Sequence, residues 1–409
     1  MRPILALFLA ACGGSAINDR CSSFAGRQWG TSEDDEALAL VPARSGGVYT
    51  GGFSGGRLGT DNIGPTGNSR GFVRKLSASG EVQWEATLDT SATDIVEALA
   101  ESPAGRIYAA GRTTGAFGGA TQRGQFDAFT AVLTSAGTVS AVTQFGDERP
   151  QHPRRLALAG ERLLLVGFDD VFVPSNYVED WENWFAAELS TGDLTERWRK
   201  PARTTYSDVA SAVITDGQGA MYVAGSNGGG SQPGIWLRKL DPAGDEVWGS
   251  RLSSSSLDTS AALAFANDGT LLLAGTHFAG SQPTLISVDP ASGAPRWQTF
   301  GPRDLNGTWV TDMTVDPQGN VYVTGSTLHA VSPRYTNRGV YDPYVVRFDA
   351  QANLTGTWQG GTEADEETTA IAVDSCGRVV ISGWTDGALA GASSGRRDAF
   401  VIAVELQNE

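Results

Sequence analysis

The sequence predicts an all-β fold, a seven-bladed β-propeller whose last blade is completed by an N-terminal strand. Three observations carry that prediction: a β-prone, glycine-bounded phrase recurs, each unit holds four strand signals, and the two ends of the chain complement each other. The phrase closes at Gly52, Gly111, Gly167, Gly225, Gly275, Gly325 and Gly383, spaced 50 to 59 residues apart. Its members read GGVYTGG, GRIYAAG, ERLLLVG, GAMYVAG, GTLLLAG, GNVYVTG and GRVVISG.

Within a unit, an Ala-rich run comes first, as in ALAL from Ala37 or AIAV from Ala370. Small apolar side chains suit the strand that crowds the central channel. The glycine-bounded phrase is the second strand. GFVRKL, DAFTAVL, PYVVRF and DAFVIAV are third strands, followed by turns such as SASGE and DPAGDE. The fourth strand ends near Trp84, Trp198, Trp248, Trp297 or Trp358, with Ala141 in the second unit, and a large indole fits where blades diverge. In DAQANL, Asn353 stands for the turn glycine, since Asn tolerates the left-handed conformation. The seventh unit, ending DAFVIAVELQNE, lacks a fourth strand, while GRQWG places Trp29 before the first Ala-rich run as Trp84 precedes the second. Closing a ring this way removes open sheet edges, and defines one propeller domain over residues 27–409.

The formal net charge of -16 repels phosphate backbones, which argues against a nucleic-acid partner. MRPILALFLAACGGS has the layout of an export signal, with Arg2 ahead of an apolar run from Pro3 to Ala11. LAAC resembles the lipobox of bacterial lipoproteins. That resemblance implies diacylation of Cys12, a signal peptide over residues 1–11 and an anchor segment over 12–26. A plain signal peptide or a buried apolar strand is the alternative. Gly13 stands where some bacteria use Asp to retain lipoproteins in the inner membrane, so the expected location is the cell envelope at the outer membrane, with the lipid as the sole membrane contact.

Units such as AIAVDSCGRVVISGWT and MTVDPQGNVYVTGST resemble the bacterial SBBP, or seven-bladed β-propeller, repeat from about residue 27 onward. The resemblance implies an exported propeller and supplies no catalytic motif.

Strands alternate in direction, so the turn between first and second strands lies at the same end of the ring as the start of the fourth. Cys376 occupies that turn in the seventh unit, and Cys21 precedes the strand entering the same blade. A Cys21–Cys376 disulfide is therefore expected in an oxidising compartment, two free thiols being the alternative. The three histidines, His152, His277 and His329, show no metal-ligand spacing, and His152 in HPRR reads as a loop. No metal or other cofactor is implied.

Two groups of residues are candidates for binding. Glu33, Asp94, Asp208, Asp258 and Glu366 recur just before the first strands, interrupted by Gln151 and Thr308. They would either rim the channel and attract a cation or accept hydrogen bonds within their own loops. Phe53, Phe168, Tyr177, Trp181 and Trp384 follow the closing glycines at the same end of the ring, where they would form a platform for a protein or glycan or else pack on their own blades. The expected function is a lipid-anchored, non-enzymatic binding or scaffold protein. The alternative is a hydrolase or lyase acting on an extracellular or periplasmic glycan or peptide.

Overall fold

The computed structural model describes residues 21, 23–56, 68–171, 181–201, 207–228, 233–255, 258–277, 282–302 and 307–409. Its strands form seven separate antiparallel sheets, and no helix occurs among the described residues. The first strand of each blade is β2 (Asp35–Pro42), β6 (Asp94–Glu101), β10 (Gln151–Ala159), β14 (Asp208–Thr215), β18 (Thr259–Phe265), β22 (Thr308–Val315) and β26 (Glu366–Val373). Each packs on the first strand of the next blade, and β26 packs on β2, which closes the ring. Blade-to-blade and second-to-third connections emerge at one end of the ring, here the loop end. First-to-second and third-to-fourth turns emerge at the other, the turn end.

Every first strand carries one extra residue against its partner: Leu38, Glu97, Arg154, Ser211, Ala261, Thr311 and Thr369. Such a bulge bends the strand and presses a carbonyl of the first strand onto the closing glycine of the second. A Cβ on Gly52, Gly111, Gly167, Gly225, Gly275, Gly325 or Gly383 would run into the carbonyl oxygen of Glu36, Ile95, His152, Val209, Thr259, Trp309 or Glu367 respectively. The repeating glycine is thus the partner of a repeating bulge.

The N-terminal strand β1 (Gly26–Trp29) pairs with β28 (Asp398–Val404), the third strand of blade 7, with Gln28 opposite Phe400. Trp29 is not the counterpart of Trp84. Trp84 lies opposite Lys75 and packs under Gly137 in the third-to-fourth turn of the next blade; Trp198 and Trp248 do the same under Gly244 and Gly293. In blade 7 that service falls to Phe24, packed under Gly80, because β1 enters from a tethered segment rather than from a turn. Trp29 instead packs on blade 1, edge to face with Phe72 at 6.2 Å and with the Arg74 guanidinium 4.3 Å above its ring. Trp358 is also displaced, lying opposite Val345.

At the blade 6 turn the left-handed residue is Ala352 (φ 64°), not Asn353, whose Nδ2 donates to Asp349 Oδ2 at 3.0 Å. An L-residue in that conformation costs roughly 1 kcal/mol. Ala352→Gly is therefore expected to stabilise the protein by about 0.5–1 kcal/mol in denaturant melts, the saved strain exceeding the extra chain entropy of glycine.

After β28 the chain steps back to blade 6. There β29 (Gln407–Asn408) adds a fifth strand against β25 (Leu354–Gln359), with Thr357 Oγ1 donating to the Glu409 carboxylate at 2.6 Å. Sequence patterning does not reveal a two-residue exposed strand of this kind.

The disulfide Cys21–Cys376 spans 355 residues of sequence with a Cα–Cα distance of 5.7 Å.

Candidate functional site

The recurrent polar position at the loop end is built from the strand register. Asp35 lies opposite Ser54, Asp94 opposite Thr113, Gln151 opposite Asp169, Asp208 opposite Asn227, Thr308 opposite Thr327 and Glu366 opposite Thr385. Asp35 and not Glu33 therefore holds the place in blade 1; Glu33 is exposed in the loop before it. The misalignment arises because that loop offers several acids, and only one sits four residues after a threonine. Asp35 Oδ2 accepts from Thr31 N at 2.6 Å and Thr31 Oγ1 at 2.8 Å, and Asp94 does the same with Thr90. Glu366 accepts from Thr362 N (2.8 Å), Thr362 Oγ1 (2.6 Å) and Thr385 Oγ1 (2.8 Å). In blade 3 the polarity reverses, and Gln151 Nε2 donates to Asp147 Oδ1 at 3.0 Å. In blade 5 the Nδ1 of His277 lies 3.2 Å from Asp258, where blades 1, 2, 6 and 7 place a hydroxyl. Asp208 is buried and hydrogen-bonded or otherwise partnered. These side chains are engaged within their own blade entries.

Burial has a consequence for pH. It pushes the carboxyls of Asp94 and Asp169 up to about 6, opposed at Asp94 by the Thr113 and Thr90 donors and reinforced at Asp169 by Asp147. Both folded values lie above that of an unfolded Asp, so the folded state binds protons more tightly and stability falls as pH rises through that window. The melting temperature is expected to rise when pH drops from about 7.5 to about 5.5, and Asp94→Asn is expected to flatten that slope in scanning calorimetry.

A second recurrent device is not apparent from strand patterning alone. Gln28, Gln144 and Gln359 close the fourth strands of blades 7, 2 and 6, and each grips its own second-to-third loop. Gln144 accepts from Phe117 N (2.9 Å) and donates to Gly115 O (3.0 Å) and Asp127 (2.9 Å). Gln359 accepts from Val331 N (2.8 Å) and donates to Asp342 (3.1 Å); Gln28 accepts from Ala390 N (3.0 Å) and donates to Gly387 O (2.7 Å) and Asp398 (2.8 Å). Its trace in the sequence is the recurring QWG, QFG and QGG. Gln28 completes blade 7 with a side chain from the other end of the chain.

One residue further along each first strand, the chemistry stops repeating. Glu36, Ile95, His152, Val209, Thr259, Trp309 and Glu367 occupy equivalent places around the loop-end mouth of the channel, opposite Phe53, Arg112, Phe168, Ser226, Thr276, Ser326 and Trp384. Arg397 pairs with Glu36, lies 3.5 Å from Asp386 and stacks 3.5 Å above the Trp384 ring. In the neighbouring blades 2 and 3, Glu97 pairs with Arg112 (3.3 Å) and Arg154 (3.6 Å). His152 lies on a strand rather than in a loop. It stacks on Phe168 at 4.7 Å, contacts Arg112 through Nδ1 and bonds Asp170 through Nε2 at 2.9 Å. Trp309 meets Tyr341 edge to face at 4.5 Å. Burial, with Glu36, Asp365 and Asp386 nearby, raises the Glu367 carboxyl above its usual range despite Arg397.

Below the mouth, Arg155 of blade 3 reaches Thr311 O of blade 6 at 3.3 Å and Asp312 at 3.9 Å. These blades are not neighbours, so the side chain crosses the channel and divides it. Of the aromatic candidates, Phe168 and Trp384 are buried and Phe53 is half-buried. Trp181 begins β12 (Trp181–Ser190), and Tyr177 and Cys12 lie outside the described residues. Among the described residues, no group of three or more His, Cys, Asp or Glu side chains is arranged to hold a metal ion.

Residues 300–330, from the end of blade 5 into blade 6, match the SBBP family, described as a beta-propeller repeat. No curated protein matches the chain. Among solved structures, Sqt1 from Chaetomium thermophilum is similar at 12% identity and a TM-score of 0.50, over 93% of this chain and 100% of that one. A putative 6-phosphogluconolactonase from Bacteroides fragilis shares 14% identity and a TM-score of 0.50, over 88% and 97% of the two chains. A protein of unknown function from Bacteroides caccae shares 13% identity at a TM-score of 0.44, over 76% and 93%. At these identities the likeness is one of fold.

Proposed function

We propose that this seven-bladed propeller is a non-enzymatic binding or scaffold protein of the bacterial cell envelope, held by a lipid on Cys12, and that it takes a protein or glycan partner at the loop end. One observation carries the reading. At the loop end, the position that enters each blade is a buried polar side chain in all seven and holds its entry loop in blades 1, 2, 3 and 7, while the next residue, at the channel mouth, diverges into acid, aromatic, imidazole and aliphatic side chains. Repeat positions hold a repeat together; divergence at equivalent positions on a rigid ring is how such folds distinguish partners. The half-buried Trp309 and Glu367, adjacent in the ring, are the strongest anchors for contact.

Binding to peptide and glycan arrays tests this. Ligands retained by the native protein should be lost from Trp309→Ala/Glu367→Lys and kept by Glu101→Lys at the turn end. The opposite pattern would sink the assignment. Palmitate labelling with a Cys12→Ser control tests the anchor separately.

A further inference from the structure

The turn end carries a cavity, at the opposite end of the ring from the channel mouth. It has a volume of about 600 Å³, within the range of small-molecule sites, and opens between blades 6 and 7 beside the closing disulfide. The N-terminal approach supplies Cys21 and Phe24, blade 6 supplies Tyr322 and Arg347, and blade 7 supplies Arg378 and Ala403. The cavity therefore exists only when the ring is closed and the N-terminal segment is docked.

The two guanidinium groups differ in what balances them. Arg378 donates to the Asp374 carboxylate from Nε at 2.8 Å and from Nη2 at 2.6 Å. Arg347 donates to Thr355 Oγ1 (3.0 Å), Thr355 O (2.9 Å) and Asn408 Oδ1 (2.9 Å), all neutral acceptors. Arg347 forms no ion pair among the described residues, in a chain whose net charge is -16. A half-buried guanidinium beside two aromatic walls selects a ligand with one negative charge and an apolar body. The exposed Glu405 at the rim opposes a second negative charge.

We infer that this cavity binds a small amphiphilic monoanion, a carboxylate or sulfonate, with Arg347 as the charge anchor and Phe24 and Tyr322 as its walls. Because Cys21 forms part of the wall, an occupied cavity holds the closing segment down, and ligand binding is linked to retention of the disulfide.

Calorimetric titration of the oxidised full chain with octanoate, octanol and octylamine tests the charge rule. Octanoate is expected to bind at least tenfold more tightly than either control. It should also slow reduction of Cys21–Cys376 by a phosphine, followed by mass. Arg347→Gln should lose octanoate binding tenfold or more. Since Arg347 also supports the C-terminal strand, Ala403→Phe provides a second variant that fills the cavity from blade 7 and leaves Arg347 in place; it should abolish binding. Equal binding of octanoate and octanol, no binding by the native chain, or binding that survives Ala403→Phe would each overturn the inference. The loop-end proposal stands or falls independently, because none of its residues lines this cavity.

Discussion

Gly325→Ala is expected to cost about 3 kcal/mol or more, against about 1 kcal/mol for Gly319→Ala in the same blade. Gly319 precedes the second strand, β23 (Val321–Thr327), Gly325 lies near its end, and the two are needed for different reasons. Gly319 sits in the turn with φ +87°, and a Cβ there would meet its nearest neighbours, the Asn267 and Ala350 side chains, at 3.4 and 3.5 Å. The added methyl has room, and the cost is the left-handed backbone alone. At Gly325 no positive φ is involved, but a Cβ would be driven into the Trp309 carbonyl oxygen and would also lie 2.9 Å from the Tyr344 hydroxyl. The first obstacle is backbone in a bulged strand of the central ring, so no rotamer change relieves it. Either blade 6 opens its bulge, or the ring of first strands shifts. Urea melts of both variants provide the measurement, and equal losses would show that the bulge does not impose the glycine.

The same contact explains why so much of the fold was legible. A repeating steric demand leaves a repeating letter, and the closing glycines mark all seven blades because all seven first strands bulge at one place. What escaped was set by packing between blades, which leaves no fixed letter. Phe24 fills the slot that an indole fills in blades 1, 3 and 4, while the tryptophan of the same segment, Trp29, lies further along. Ala352 adopts a glycine's conformation, and Asn353 beside it has the more suggestive side chain. Glu33, Asp34 and Asp35 are all acidic, and only the threonine four residues earlier identifies Asp35 as the one that enters the ring position. The mouth of the channel was the least legible part. Its residues are defined by register against the second strand, and by their failure to repeat.

Removing the disulfide, by Cys21→Ser with Cys376→Ser, is expected to give the other large loss. Closing a loop of 355 residues is worth on the order of 5 kcal/mol in the chain-entropy model. At typical unfolding entropies per residue that is a fall of about 5 °C in melting temperature for a chain of this length. The loss should be local in its first step, because of what else holds the closing strand. β1 is four residues long. Beyond its ladder it is held by Phe24 under Gly80, by Arg27 on Gly80 O (3.0 Å) and on the Glu81 carboxylate, and by the Gln28 amide in blade 7. The Arg27–Glu81 pair is exposed and contributes little. With the disulfide gone, the segment before Phe24 has no covalent tie to the ring, and fraying of β1 exposes the edge of β28. Hydrogen exchange should then accelerate first at Gly26–Trp29 and along β28, before blades 2 to 5 respond. Adding Gln28→Ala to the disulfide-free variant should widen that opening, since it releases Gly387 O and Ala390 N in the blade 7 loop and leaves the equivalent clamps of blades 2 and 6 intact. Uniform acceleration across all blades would mean that the ring unfolds as one cooperative unit and that closure is not its weakest point.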